Sequence, residues 1–173
     1  MKHPNFFCLL FTLSLILSAC APEAQTASQP VSDDTYFPIQ IGDETLQLQL
    51  ALRESERTLG LMFRDELAKD HGMLFLFEEP GPLGFWMRNT RIPLDLGYFD
   101  ASGKLLEIHE LYPYDETTVS SHSKQVLIAV ETNRGWYEAH AIRPGAQIDI
   151  HALTAAIKDR GIPTERYSIE RTY

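Results

Sequence analysis

From Tyr36 onward, apolar and polar positions alternate with a period of two. Phe37-Pro38-Ile39-Gln40-Ile41 alternates, Gly42-Asp43-Glu44 turns, and Thr45 to Leu52 alternates again with Leu46, Leu48, Leu50 and Leu52 on one face. Such alternation on either side of a Gly-Asp turn predicts a β-hairpin. Ser55 is placed to cap a short helix, Glu56 to Met62, whose Leu59 and Met62 would face the core. Gly72 to Phe77 is apolar at every position, as expected of a central strand covered on both sides. Further strands are predicted over Leu94 to Phe99, Lys104 to Leu111, Gln125 to Glu131 and Ala146 to Ile150, with a short helix or turn over Thr132 to His140. Residues 152–173 read as an amphipathic stretch and polar tail outside the main core. Many short strands with few helices predict a mainly β (α+β) domain, a small compact barrel or sandwich with short helical turns.

The pattern before Tyr36 is of another kind. Lys2 and His3 precede an apolar run, Phe6 to Leu17, broken only by Thr12 and Ser14 and followed by Leu17-Ser18-Ala19-Cys20. A run this short ending in small residues predicts a signal peptide over residues 1–19, since a membrane span needs ~20 apolar residues. Leu-Ser-Ala-Cys resembles the lipobox of bacterial lipoproteins, which implies acylation of Cys20 and, with Ala21 following, sorting to the outer membrane facing the periplasm. Residues 21–34 hold almost no large apolar side chain, so residues 20–34 are expected to form a lipidated, disordered tether with a reach of about 20 Å.

Composition narrows the chemistry. The only cysteines are Cys8, in the leader, and Cys20, so the domain itself has no thiol or disulfide. Thiolate catalysis and zinc–cysteine sites are thereby excluded. The net charge of −9 and the lack of any basic run argue against nucleic acid or anionic lipid headgroups as partners.

The blocks Gly60-Leu61-Met62-Phe63-Arg64, Gly72-Met73-Leu74-Phe75 with Phe77, Phe85-Trp86-Met87-Arg88-Asn89-Thr90, Ile92-Pro93-Leu94-Asp95 and Glu131-x-Asn133-x-Gly135-Trp136 follow one another in order. Together they resemble the Domain of Unknown Function 192 family over residues 37–151. The resemblance implies a compact β-rich fold, carries no reaction with it, and is silent on residues 152–173.

The segment around Asp95 holds the densest candidate chemistry. Alternation puts Leu94, Leu96 and Tyr98 on one face of a strand and Asp95, Gly97 and Phe99 on the other. An inward Asp95, with open space over Gly97, needs a partner, because an unpaired buried carboxylate is costly. Arg88, Arg91 and the Asn89-Thr90 turn are candidates. Either Asp95 pins that turn, or Asn89, Thr90, Asp95 and Glu131 form a polar binding cluster. Glu131 ends an apolar strand and is either solvated or turned toward the same place. Trp86, Phe85, Met73 and Met87 are either core or the lining of a groove, with Arg88 beside them. Arg57 and Arg64 are either solvated or an anion clamp.

No His-x-His or His-Glu-x-x-His spacing occurs, so no metal ligands are assigned, though His71, His109, His122, His140 and His151 could meet acids in the fold. Ser120-Ser121-His122-Ser123 lacks a nucleophile elbow, and no phosphate-cradling glycine loop occurs. No cofactor is expected. The sequence reading favours a tethered, non-catalytic binding or accessory domain for a small molecule, saccharide or envelope protein, with Trp86, Arg88, Asn89, Thr90, Asp95 and Glu131 as ligand contacts. The alternative is a hydrolase or lyase that uses Asp95 and Glu131 as an acid–base pair.

Overall fold

A computed structural model describes residues 31–170. The expected leader, Cys20 and the tether as far as residue 30 lie outside the described residues. The predicted hairpin forms from β1 (Phe37–Ile41) and β2 (Glu44–Ala51), with Ile39 opposite Leu46. A short helix, α1 (Glu54–Leu59), then carries the chain across so that β3 (His71–Gly81) lies parallel to β2. Ser55 lies inside this helix. Its expected capping role falls to Glu56, whose Oε2 accepts the backbone N–H groups of Leu52 (2.7 Å) and Arg53 (2.9 Å).

After β4 (Gly84–Phe85) come β5 (Leu94–Phe99), β6 (Leu105–Leu111), β7 (Val119–Ser120) and β8 (Val126–Asn133). Six of the strands make one mixed sheet in the order β1-β2-β3-β8-β5-β6, while β4 and β7 pair as a separate ribbon. The main sheet does not close into a barrel, nor does a second large sheet form a sandwich. Ala146 to Ile150, expected as a last strand, makes only isolated bridges, Ile148 with Ile41 and Gln147 with Lys104. The reason is local: Asp149 accepts the N–H of Ala152 (2.9 Å), which starts α3 (Ile150–Asp159) where strand would have continued.

Both faces of the sheet are covered. On one, Leu46, Leu48, Leu74, Phe99 and Val130 meet Leu153, Ala156 and Ile157 of α3, together with Trp136 and Tyr137 of α2 (Trp136–Ala139). On the other, Met73, Phe75, Leu94, Leu96, Tyr98 and Ala129 meet Leu61, Met87 and Ile92. The stretch after residue 151 is thus part of the core, contrary to the sequence expectation. Its apolar positions at spacings of three and four supply the layer that the hairpin face requires.

Arg160 locks this layer in place. Its side chain is fully buried, with Nη1 donating to the carbonyl of Leu50 (2.8 Å) and Nη2 reaching Glu56 (2.6 Å) and Asp33. Arg53 joins the same two carboxylates, at 3.0 Å from Asp33 and 2.6 Å from Glu56. The end of the expected tether is therefore docked: Asp33 is held by both arginines, and the N–H of Val31 donates to the carbonyl of Asp159. Arg160 and Glu56 are the buried pair of this cluster while Asp33 and Arg53 lie nearer solvent, so removing Arg160 strips Glu56 of its buried partner. Arg160→Ala is expected to destabilise the domain by roughly 3 kcal/mol in urea unfolding. A loss below about 0.5 kcal/mol, the scale of an ordinary surface substitution, would remove the cluster from the account of stability.

Candidate functional site

β8 is buried along its whole apolar run, and at the end of that run it carries one acid, Glu131. Register aligns Gln49 of β2, Met73 of β3, Glu131 and Leu96 of β5 across one face of the sheet. Glu131 is only 5 % exposed, and its carboxyl has no hydrogen-bond partner among the described residues. Burial pushes its pKa up to about 8, against the opposing pull of the Arg64 guanidinium. Arg64 does not neutralise it by contact, because its own N–H groups are engaged with Tyr36 Oη (3.2 Å) and Gln49 Oε1. At neutral pH Glu131 is mostly the uncharged acid, able both to donate and to accept.

Glu131 lines a cavity of about 420 Å³ whose walls come from α1, β3 and the β4 region. Leu61, Phe75, Phe77 and Phe85 make its apolar sides, and Phe75 and Phe85 meet edge to face with centroids 5.0 Å apart. Gly60 bounds it at φ +48°, and a Cβ there would come within 3.4 Å of the Phe75 ring. Arg57 lines it while donating to the carbonyls of Leu52 (2.8 Å) and Leu76 (3.1 Å), which fixes its guanidinium over Phe77. Trp86, 45 % exposed, stands at the wall with Arg88 over its ring at 5.6 Å. Thr90 also lines the cavity, its hydroxyl donating to the carbonyl of Arg88 (3.1 Å).

The loops that shape the rim hold two non-glycine residues in the left-handed region, Phe63 at φ 64° and Asn89 at φ 54°. They are tied together by Phe63 N–H donating to the Asn89 carbonyl (2.9 Å). Each such residue costs on the order of 1–2 kcal/mol, and strain of this kind gathers where a surface is shaped for use.

Asp95 has a different role. It lies on the opposite face of the sheet from Glu131, with Thr132 as its register partner while Glu131 pairs with Leu96. Its Oδ2 accepts the N–H of Gly135 (2.8 Å), and its Oδ1 sits 3.3 Å from Arg134 Nε. Burial pushes its pKa up, and these two contacts only partly offset the rise. The turn that it pins is Arg134-Gly135, not Asn89-Thr90, and neither Arg88 nor Arg91 is its partner. The open space expected over Gly97 is filled, since a Cβ there would lie 2.3 Å from Tyr137 Oη. A wider depression of about 590 Å³ borders Asp95, but both carboxylate oxygens are already engaged. The Asp95/Glu131 acid–base pair is therefore corrected: alternation along neighbouring strands sends the two carboxyls to opposite sides.

Of the residues singled out in the sequence, Arg57, Phe85, Trp86, Thr90 and Glu131 share the cavity, Arg88 backs Trp86, and Asn89 lies in an adjoining loop with a strained backbone. Met73 and Met87 are core. Phe75, Phe77, Gly60 and Leu61 were legible only as core or turn, because strand periodicity does not say which apolar faces stay uncovered.

Burial raises the pKa of both Asp95 and Glu131, but only Asp95 holds partners, the Gly135 N–H and Arg134, that an amide would disturb. Asp95→Asn is expected to cost roughly 1–3 kcal/mol and to lower the melting temperature by several degrees; an unchanged midpoint would contradict its anchoring role. Glu131 stays protonated in the fold where the unfolded chain has already ionised. Its favourable contribution is complete below the ordinary glutamate pKa and is lost as pH rises through about 8. Glu131→Gln should flatten the fall in stability between pH 5 and 8, and should gain on the order of 2 kcal/mol over the parent at pH 8. Parallel pH–stability curves for the two chains would refute the buried neutral acid.

Comparison with known proteins agrees with this fold. A solved structure from Sinorhizobium meliloti 1021, described as a candidate transcription regulator, is 30 % identical with a TM-score of 0.65, the match covering 70 % of this chain and 99 % of that one. A protein of unknown function from Novosphingobium aromaticivorans DSM 12444 is 31 % identical with a TM-score of 0.64, over 71 % of this chain and 94 % of that one. No curated protein matches the chain. Residues 37–150 match DUF192, a family described as uncharacterized ACR, and the chain belongs to that family.

Proposed function

We propose that this protein is a non-catalytic binding domain tethered to the cell envelope, and that the cavity over Glu131 takes a small molecule with an apolar or ring face and one hydrogen-bonding group. The observation that carries this reading is the Glu131 carboxyl, which has no hydrogen bond to another described residue and lines a cavity whose walls are both apolar and polar. A largely buried acid that faces a cavity with no bonded neighbour is open to a partner, and a ligand hydroxyl or amine would supply one. The volume lies in the range of small-molecule sites, which supports a single sugar ring or a similar compact molecule over an envelope protein. Trp86 and Phe85 offer faces on which a ring can stack. The lipobox-like Leu17-Ser18-Ala19-Cys20 supports a lipid anchor at Cys20 on the periplasmic face of the outer membrane. The regulator description of the Sinorhizobium protein is not carried over, because a net charge of −9 disfavours the phosphate contacts that DNA binding requires.

A second reading rests on the same raised pKa. Glu131 alone could serve as a general acid in a hydrolase or lyase, with Arg57 or Glu54 at the cavity wall as the second group.

The test is a thermal-shift and calorimetric screen of the intact chain against monosaccharides and small aromatic alcohols and amines. Saturable hits should weaken about tenfold in Glu131→Gln and in Trp86→Ala, the equivalent of ~1.4 kcal/mol, and keep their affinity in Asp95→Asn. A screen with no saturable hit, or hits indifferent to both cavity variants, would reject the reading. Turnover of a hit that is abolished in Glu131→Gln would replace it with the second.

A further inference from the structure

Away from the cavity, β6 carries an acid and a histidine on one side of the sheet edge. A register shift between Tyr98 and Phe99 sets Leu105 opposite Phe99 and Glu107 opposite Tyr98. The shift moves Leu105 to the α3 side and turns Glu107 and His109 to the other. The loop after β7 then brings in His122. Glu107 Oε2 lies 2.8 Å from His109 Nε2 and 2.8 Å from His122 Nδ1, and one ligand atom from each residue falls within 4.8 Å of the others.

We infer that Glu107, His109 and His122 form a binding site for a divalent transition-metal ion of the zinc class. Two imidazoles and a carboxylate are a donor set suited to such ions, with a fourth position left for water. Ligand atoms around a tetrahedral ion stand about 3.4 Å apart, so the two Glu107–imidazole contacts of 2.8 Å widen by a fraction of an ångström while the imidazole nitrogens, within 4.8 Å of each other, close toward that spacing. The acid is oriented beforehand. Its Oε1 accepts the backbone N–H of Ser123 (3.0 Å), and the His122 N–H is shared between Oε1 (3.0 Å) and Oε2 (3.1 Å), which holds the carboxylate with Oε2 toward the histidines. His109 is positioned by the Tyr98 ring, edge to face at 5.5 Å, and Tyr98 is itself fixed by donating to the Val119 carbonyl (2.9 Å). His122 is 88 % exposed and is the ligand with room to adjust.

Zinc and cobalt(II), each added alone to the intact chain, test the site independently of any cavity ligand. One equivalent of zinc should bind, and cobalt should give the strong visible absorption of a tetrahedral site. His109→Ala and His122→Ala should each weaken binding at least tenfold, while His140→Ala, His151→Ala and Glu131→Gln leave it unchanged. Because His122 is exposed, its variant should melt as the parent does in the absence of metal, so lost binding cannot be lost folding. Absence of one-equivalent saturable binding, or binding that survives both histidine variants, would overturn the assignment.

Discussion

A sheet covered on both faces leaves its strands almost nowhere to put a polar side chain. In this protein β3, β5 and β8 lie between two apolar layers, so a charged residue on any of them must find a partner or stand at a cavity. Among the described residues, that constraint separates the buried ionisable groups that tie segments together from Glu131, which makes no such tie.

Arg160 and Asp95 belong to the first group. Each is largely buried, and each joins segments far apart in sequence. Arg160 links the C-terminal layer to the end of β2 and to the start of α1, while Asp95 fixes the turn between β8 and α2. Glu131 has the same burial and no comparable partner. Retaining an unpaired acid at the end of a strand that is otherwise apolar works against stability, and such residues tend to be kept for what they bind. Of the five described non-glycine residues with positive φ, Phe63 and Asn89 lie in loops next to the Glu131 cavity, tied to each other by a backbone hydrogen bond.

The edge strand β6 relaxes the constraint. Open to solvent on one flank, it can carry Glu107 and His109 on the face that further inside the sheet holds Glu131. The cavity and the edge cluster are thus two outcomes of a single face. Near the centre Glu131 meets a cavity with no bonded neighbour, and at the rim polar groups meet one another.

The hairpin, the face assignments of Leu46 to Leu52 and of Leu94 to Phe99, the absence of a thiol from the domain and the isolated acid at position 131 were all determined by the sequence itself. Each follows from the two-residue period of a strand or from composition, and both are local properties of the chain. Tertiary structure decided the rest. Whether Asp95 and Glu131 meet depends on the register between β5 and β8, and that Tyr137 fills the space over Gly97 depends on where α2 docks. That residues 152–169 close the core follows from which face the hairpin leaves bare. The convergence of His122 on Glu107 and His109 comes from a register shift and a loop about fifteen residues away. Contacts between distant segments are set by how layers cover one another, and no local period along the chain encodes them.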